Sequence, residues 1–499
     1  MHTRTTFRRL LLSLLSGAVS FFAFPSPNFW PAIFLSVAGL YLSVRGLRFW
    51  RAIPIGLVGG FAFYTAQIYW ISQYLGPVPL IALAGLESIF FALSMALIAS
   101  TTKRVFNAWY RALSIATIWT GREWLATHFP YGGFPWSRVA MSQSDSPLAF
   151  WVSIGGFGLL SFILVAITVF TIEWIKPRNA KSYLAPTLVT IILVAVPLAL
   201  STVPASTTGT LRIAGVQGNA NAGLFANEER GTIRDNHLAA TQTLLDAGEK
   251  FDLVVWPENA SDIDPSSDAE TQDILQNLVD EKLHAPLIFG SITTQADKMY
   301  NSSKLWLPGR GVVDQYDKKR PVPFGEYVPD REFFFQLAPD LIGMIYRGYE
   351  FGTRDGIFNV DDSKLGILIC FEEAIDEVPR DVVREGADVI IAQTNNADFG
   401  RSDESYQQLA IAKLRAIETG RAIISVSTVG PSAIIDRNGK VLDVSKAYTP
   451  AFVIADVPKY NDLTLTMQGG WLFDPTCAAI AGAWLIWLVI ENRRKTTKL

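Results

Sequence analysis

The sequence predicts an α-helical membrane domain of eight spans, with an α/β domain of roughly 250 residues inserted before the last span. Three observations predict it. The chain is 49% hydrophobic and only 18% charged, well below the roughly one-quarter charge of soluble domains. Residues 1–205 are dominated by apolar stretches of helical length. Residues 210–468 then switch to short β-type runs separated by helical patterns, and residues 472–499 return to an apolar run with a basic tail.

The spans fall at 8–24, 28–45, 52–72, 78–100, 109–126, 148–174, 183–202 and 475–491. Each is near the length that crosses about 30 Å of hydrocarbon as a helix. The first two are short and joined by Phe24-Pro25-Ser26-Pro27-Asn28, a tight helical hairpin. The first also has a rival reading as a cleaved signal peptide, since Arg4, Arg8 and Arg9 precede it. Against that, no small-residue cleavage site follows and the next apolar run begins at once.

Basic loops set the orientation. Arg45, Arg48 and Arg51 follow the second span, Lys103, Arg104 and Arg111 the fourth, and Lys176, Arg178 and Lys181 the sixth. Arg493, Arg494, Lys495 and Lys498 follow the last. Alternate loops are nearly free of Lys and Arg, apart from Arg138. The positive-inside rule then puts the basic loops and both termini in the cytoplasm, and residues 210–468 outside it.

In that inserted domain, β-type runs occur at Leu211–Gln217, Asp252–Trp256, Pro286–Ile292, Lys364–Ile369, Asp388–Gln393, Ala422–Thr428 and Phe452–Ala455. Helical patterns lie around 228–248, 268–283 and 403–419. Such alternation indicates an α/β sheet domain. The net charge of -3 and the lack of a basic run exclude nucleic acid as an expected partner. His2, His128, His237 and His284 have no metal-ligand spacing, so neither a metal nor a cofactor is expected. Two cysteines cannot build a disulfide framework. Cys477 opens an apolar run and reads as a small buried hydrophobe.

Chemistry concentrates in three segments. Val254-Val255-Trp256-Pro257-Glu258 is an apolar strand stopped by proline and followed by a carboxylate. Lys318 and Lys319 precede a Pro/Gly-rich loop that contains Glu326. Leu365–Ile369 is a buried-type strand ending in Cys370, with Phe371, Glu372 and Glu373 after it, where a helix could begin. A helix start there would lower the thiol pKa and offer backbone N–H groups to an oxyanion. Taken singly, each has a bland reading: a solvated loop carboxylate, a surface lysine pair, a core cysteine. Together and in this order they point to a cysteine nucleophile with an acidic base and a cationic partner.

The order Glu258, Lys318, Cys370 resembles the Glu–Lys–Cys triad of the nitrilase superfamily. The runs WPEN, YDKKRPVPFGEYVP, GILICFEEA and TNNADFG, and the segment Arg415–Arg421, resemble the apolipoprotein N-acyltransferase family of bacterial envelopes. So do Gly133-Phe134-Pro135-Trp136, Ser142-Gln143 and Gly155-Gly156-Phe157-Gly158 in the membrane part, and the resemblance spans nearly the whole chain. It implies a nitrilase-like α-β-β-α sandwich inserted in the membrane domain, in the cytoplasmic membrane of a bacterium. Cys370 would be the nucleophile, Glu258 the general base, and Lys318 the oxyanion stabiliser. Counting back from PFGE selects Lys318 over Lys319. Glu326 would orient Lys318 or act as a second acid/base, Phe371 stands where the family often has Tyr, and Glu372 would support the loop. The donor would be a membrane phospholipid and the acceptor a diacylglyceryl-cysteine apolipoprotein, with the enzyme a monomer in the bilayer. The family's Trp after the first strand is absent, and Phe225 is the nearest aromatic. From the residues alone, Phe333-Phe334-Phe335, with Leu337, Leu341 and Met344, reads either as an apolar lid or as an amphipathic helix packed on the domain. Two rival readings are a membrane-tethered amidase, and a transporter or receptor with an inactive domain; Glu87 and Glu123 are the main intramembrane ionisable groups.

Overall fold

The computed structural model describes residues 2–175, 179–202, 205–221, 229–345 and 348–496. Lys176, Arg178 and Lys498 of the loop-charge pattern, and Phe225, lie outside these. The chain divides into two compact units, one of residues 1–72, 76–203 and 468–499, the other of residues 73–75 and 204–467.

The first unit is helical. Its long helices are His2–Val19, Ala32–Val44, Phe49–Ile68, Pro77–Thr102, Ala108–Ala126, Val152–Trp174, Leu184–Ser201 and Phe473–Thr496. Among the described residues, five helical stretches are long and apolar enough to cross a membrane, and Ala32–Val44 is a shorter apolar helix. The expectation of eight spans is therefore met in part. Phe49–Ile68 falls short because it carries Arg51, Pro54 and Gln67, and Ala108–Ala126 because it carries Arg111, Arg122 and Glu123. The charges of Ala108–Ala126 are compensated internally. Arg111 pairs with Glu173. Arg122 donates to the Tyr64 hydroxyl at 2.8 Å and stacks on Phe91 and Trp119. Arg138, the exception in the loop-charge pattern, is buried against the Phe157 ring with Asp474 at 3.8 Å.

The second unit is a sandwich of two six-stranded sheets. Twelve strands build it: β1 Thr207–Gln217, β2 Leu253–Val255, β3 Leu287–Gln295, β4 Lys298–Leu307, β5 Gly311–Asp317, β6 Ile357–Val360, β7 Ser363–Ile369, β8 Val389–Thr394, β9 Ala422–Ser427, β10 Ala433–Ile435, β11 Val441–Val444 and β12 Ala451–Tyr460. The sheet orders are β12-β1-β2-β3-β4-β5 and β11-β10-β9-β8-β7-β6. Ile213, Leu253, Val255 and Ile288 of one sheet interlock with Ile367, Ile369, Ile391 and Ile424 of the other. The opposite faces carry helices. Thr232–Asp246 and Ala269–Asn277 pack on Val254, Trp256 and Phe289, and Glu377–Arg384 and Glu404–Thr419 on Leu368, Ile390 and Ile423. The central strands are buried on both faces, which is why β2 and the first residues of β8 and β9 read as continuous apolar runs rather than alternating ones.

Candidate active site

The parallel strands β2 and β7 end near one another in the sandwich, and chemistry starts where each stops. After β2, Pro257 ends the ladder and Glu258 turns inward. That turn presses on β3 so closely that a Cβ on Gly290 would come within 2.4 Å of the Asn259 nitrogen and 2.7 Å of the Glu258 Cα. Only glycine fits there.

Lys318 directly follows β5, and its N–H donates to the Asn301 carbonyl on β4 at 2.8 Å. Gly352 donates to the Lys318 carbonyl at 2.9 Å, and a Cβ on Gly352 would meet the Asp317 oxygen at 1.9 Å, so the backbone on both sides of Lys318 is fixed. The ammonium of Lys318 is buried between two carboxylates. It donates to Glu326 Oε1 at 3.0 Å, pairs with Glu326 Oε2 at 2.9 Å, and lies 3.6 Å from Glu258 Oε1. Asn301 ties the same two carboxylates together, its Nδ2 donating to Glu258 Oε1 at 2.6 Å and to Glu326 Oε1 at 2.8 Å. The second oxygen of Glu326 also accepts the Val322 N–H at 2.7 Å.

After β7 the backbone reverses at Cys370, which takes a φ of +54°. A non-glycine residue there is held in a sparsely populated conformation that costs on the order of 1–3 kcal/mol and persists only where the surroundings impose it. The surroundings do so through Glu372. One of its oxygens accepts from Ile369 N at 2.9 Å, the other from Tyr316 Oη at 2.8 Å, Lys319 N at 2.7 Å and Arg320 N at 3.0 Å. A single buried carboxylate thus joins the segment holding Lys318 to the turn holding Cys370. Phe371 lies buried in that turn.

Here one expectation is corrected. Cys370 does not begin an α-helix: Cys370–Glu373 is one 3-10 turn, and the next helix starts at Glu377. The thiol is not lowered either. Burial pushes it well above its ordinary value, and the Glu258 charge adds to this, while Lys318 opposes both. Burial likewise raises Glu258, against Lys318, the Asn301 hydrogen bond and the thiol. For Lys318, burial works against the charge, and Glu326, Glu258 and Cys370 overcome it, so the ammonium is held well above its ordinary range. The resting site therefore favours a neutral thiol beside a carboxyl group, with one permanent cation. Cys370 is partly exposed as a residue, while its thiol sits in a buried setting. Thiol, carboxylate and ammonium together can pass a proton from sulfur to Glu258 and hold a developing oxyanion near Lys318.

Glu258, Lys318 and Cys370 come together, with Glu326 and Glu372 in supporting contact. Lys319 does not join them; its ammonium turns outward to Asp355 at 2.5 Å and Asp381 at 3.3 Å. Asn301 escapes a reading of the sequence that does not resolve β4 and β5 as strands. The signal is present: Pro308-Gly309-Arg310-Gly311 separates two β-type runs, and a hairpin there puts Asn301 close to Lys318. The aromatic segment forms two short helices, Arg331–Leu337 and Pro339–Met344, with Phe333, Phe335, Leu337 and Met344 exposed.

Residues 16–170 match the family described as the apolipoprotein N-acyltransferase N-terminal domain, and residues 212–460 match the carbon-nitrogen hydrolase family. The chain is 30% identical to the apolipoprotein N-acyltransferase of Mycolicibacterium smegmatis, over 96% of this chain and 84% of that protein. It is 28% identical to the apolipoprotein N-acyltransferase of Pseudomonas putida, over 97% of each. Among solved structures, an amidase from Nesterenkonia sp. aligns with 54% of this chain and 96% of its own, at 15% identity and a TM-score of 0.39.

Proposed function

The chain belongs to the apolipoprotein N-acyltransferase family, an acyltransferase group of the carbon-nitrogen hydrolase superfamily, and from that premise we propose how its own residues carry out lipoprotein N-acylation. The acyl donor is a membrane phospholipid. The Cys370 sulfur attacks the ester carbonyl, the S–H proton passes to Glu258, and Lys318 faces the oxyanion. Collapse of the tetrahedral intermediate breaks the ester C–O bond, and Glu258 returns its proton to the leaving glyceryl oxygen. This leaves a lysophospholipid and an acyl thioester on Cys370.

In the second half-reaction the α-amino group of an N-terminal diacylglyceryl-cysteine attacks the thioester. Its proton goes to Glu258 and from there to the departing Cys370 sulfur. An α-amine has a pKa of about 8, so a usable fraction is neutral at pH 7, whereas a lysine near 10.4 is almost wholly charged. The enzyme therefore selects the N-terminal amine over internal lysines. Glu326 and Asn301 hold Lys318 and Glu258 in register, and Glu372 fixes the nucleophile turn.

The observation that carries this reading is the convergence of the Glu258 carboxyl, the buried Lys318 ammonium and the Cys370 thiol. Incubation with phospholipid followed by mass spectrometry should find acyl mass on the Cys370 peptide. That mass should disappear when diacylated cysteine peptide is added. Free fatty acid as the main product with the peptide present would make the enzyme a hydrolase instead.

The eight long helices cross the bacterial cytoplasmic membrane in this reading, with residues 210–468 on the extracytoplasmic side. Internal pairing of Arg111 and Arg122 supports counting Ala108–Ala126 as a span despite its charges. The exposed Phe333, Phe335, Leu337 and Met344 supply an apolar surface for acyl chains. In a cysteine-free background, Asn179→Cys should react only with reagent on the cytoplasmic side and Ser267→Cys only with reagent outside. Labelling of both from one side would overturn the topology.

A further inference from the structure

The two members of the reacting pair are carried by different sheets. Glu258 follows β2 of one, and Cys370 follows β7 of the other. The Glu258 carboxyl is held from within its own sheet, by Asn301 on β4 and Lys318 after β5. The Lys318 segment is tied across to the nucleophile turn by Glu372, which accepts from Lys319 N and from Ile369 N. None of these bonds fixes the Glu258 turn against the sheet that carries Cys370.

Gln393 does. It lies on β8, the strand beside β7, and pairs in register with Ile369, the residue before Cys370. Val389 and Ile391 of the same strand belong to the core between the sheets, and strand alternation puts Gln393 on that face. From there its Nε2 crosses the sandwich and donates to the Trp256 carbonyl at 2.6 Å. Trp256 stands two residues before Glu258, and Pro257 between them has no N–H with which to hold the turn. The Glu258 carbonyl is met from the same side, by Thr428 Oγ1 just after β9, at 3.4 Å. The Pro257 carbonyl accepts instead from Gly290 N of β3 at 3.1 Å. The turn that carries the base is thus held from both sheets.

The amide is an expensive way to fill the core. Gln393 is fully buried, and its Oε1 has no hydrogen-bond partner among the described residues. A buried acceptor left unpaired loses its solvation without return. An apolar side chain of equal length would remove that cost and strand the Trp256 carbonyl in its place, so stability alone does not single out glutamine. We propose that Gln393 is a positioning residue for acyl transfer: its bond across the sheets to Trp256 holds the Glu258 carboxyl within reach of the Cys370 sulfur. Proton transfer requires heavy atoms about 2.6–3.2 Å apart. A base turn released by a fraction of that distance slows the chemical step and leaves phospholipid binding unchanged. The inference rests on the acyl-transfer reading of Cys370.

The test uses the full-length enzyme in phospholipid-containing micelles. Acyl-Cys370 formation is read by intact mass in single turnovers, per folded molecule, across a range of phospholipid concentrations. Gln393→Met keeps the length and nearly the volume but donates nothing. Its saturated rate should fall about tenfold, with the half-saturating phospholipid concentration within about twofold of wild type. Gln393→Glu is the second arm. Burial raises the pKa of a carboxyl there. As a neutral acid its O–H donates to the Trp256 carbonyl, and as a carboxylate it cannot. Its rate relative to wild type at the same pH should be within about threefold at about pH 5.5 and lower by about tenfold or more at about pH 9.5. The Gln393→Met ratio should stay level over that range, since methionine does not titrate. A Gln393→Met rate within about twofold of wild type, even with a lowered thermal midpoint, would make the bond structural and overturn the proposal. So would a Gln393→Glu ratio that does not rise as the pH falls. Should one variant fail to fold, the other decides alone, and if neither folds the bond belongs to the fold and the proposal fails. Absence of acyl mass on wild-type Cys370 at every pH would instead overturn the acyl-transfer reading, and the proposal with it.

Discussion

Two clusters of buried charge in this chain follow nearly the same formula, one cation associated with two glutamates. In the helical unit the cation is Arg122, with Glu123 at 3.6 Å and Glu87 joined through the shared Tyr64 hydroxyl. In the sandwich it is Lys318, with Glu258 and Glu326. The surroundings differ. Arg122 lies against the faces of Phe91 and Trp119, and its Nε and Nη2 have no hydrogen-bond partner among the described residues. Glu123 spends one oxygen on Trp119 Nε1 and Val139 N, both structural donors. The Lys318 cluster instead borders a cysteine on a strained backbone, partly exposed as a residue, and its two carboxylates are cross-linked by Asn301. Burying a cation between carboxylates is thus a general way to hold helices or strands together. It becomes chemistry only where a nucleophile stands beside it with a path to substrate.

The comparison breaks most decisively at the nucleophile. Cys370→Ala should abolish acyl transfer while the protein folds and inserts, because the charge cluster survives without its sulfur. Cys477→Ala, in the last helix, should leave transfer intact. Substantial residual turnover in Cys370→Ala, measured as N-acylated peptide, would make the Lys318 cluster structural, like the Arg122 one.

Next in size is the cation. Lys318→Met should lower the rate of acyl-Cys370 formation by about 10²–10³, the usual consequence of losing one oxyanion donor. It also leaves Glu258 and Glu326 facing each other without a charge between them. Glu258→Gln should block the thioester as completely, since the carboxylate that takes the thiol proton is gone.

Arg122→Met makes the converse test. Removing one partner from a buried charged group typically costs about 3–5 kcal/mol, because the remaining carboxylates are stranded. The thermal midpoint in detergent should fall, while acyl-Cys370 formation per folded molecule stays within about threefold. A variant of normal stability that had lost acylation would erase the distinction between the clusters.

Much of this contrast is legible in the sequence, for different reasons in each region. Glu258 and Cys370 stand immediately after apolar strands, and Lys318 before a Pro/Gly-rich loop, so local pattern locates all three. The sandwich core is legible because strands covered on both faces are continuously apolar. Asn301 is hidden because β4 alternates polar residues and does not look like a core strand; its role exists only through pairing with β5. Glu373 and Glu404 are hidden more deeply. They are far apart in the chain and share surroundings only through the turn after β7 and the loop after β8. The strained φ at Cys370 has no local signature, since a helix start there is equally compatible with Phe-Glu-Glu. The number of spans is obscured by Arg122 and Glu123, whose compensation is tertiary.

Carboxyl groups that the fold keeps neutral sharpen the picture through stability. Glu373 and Glu404 are raised from 4.5 to about 8 in the folded protein. An unfolded chain releases both protons near 4.5, and the folded one keeps them to about 8. Their contribution is therefore fully present below 4.5 and is lost as pH rises toward 8, since the folded state holds more protons throughout that window. The thermal midpoint should decline across it, by the equivalent of several kcal/mol, and the double variant Glu373→Gln/Glu404→Gln should flatten that decline. An unchanged slope would mean that both groups are ionised in the fold.

The smallest effect belongs to the residue beside the buried lysine. Lys319 carries the same charge one position along, and the chain direction sends it to the other side. Its ammonium meets Asp355 and Asp381 where a quarter of the side chain remains exposed. Such pairs contribute about 0.2–1 kcal/mol, because solvent screens them and two long side chains must be ordered. What the site takes from Lys319 is its backbone N–H, which donates to Glu372 at 2.7 Å. Lys319→Met keeps that N–H and keeps the apolar stem. It should therefore lose less than about 1 kcal/mol of stability and less than about threefold in acyl-Cys370 formation, against the roughly hundredfold or more expected of Lys318→Met. Measuring the two variants side by side separates register from charge. If Lys319→Met were the inactive one, the cation that matters would be the outward-facing one, and the buried Lys318–Glu258–Glu326 cluster would join that of Arg122 as a structural clamp.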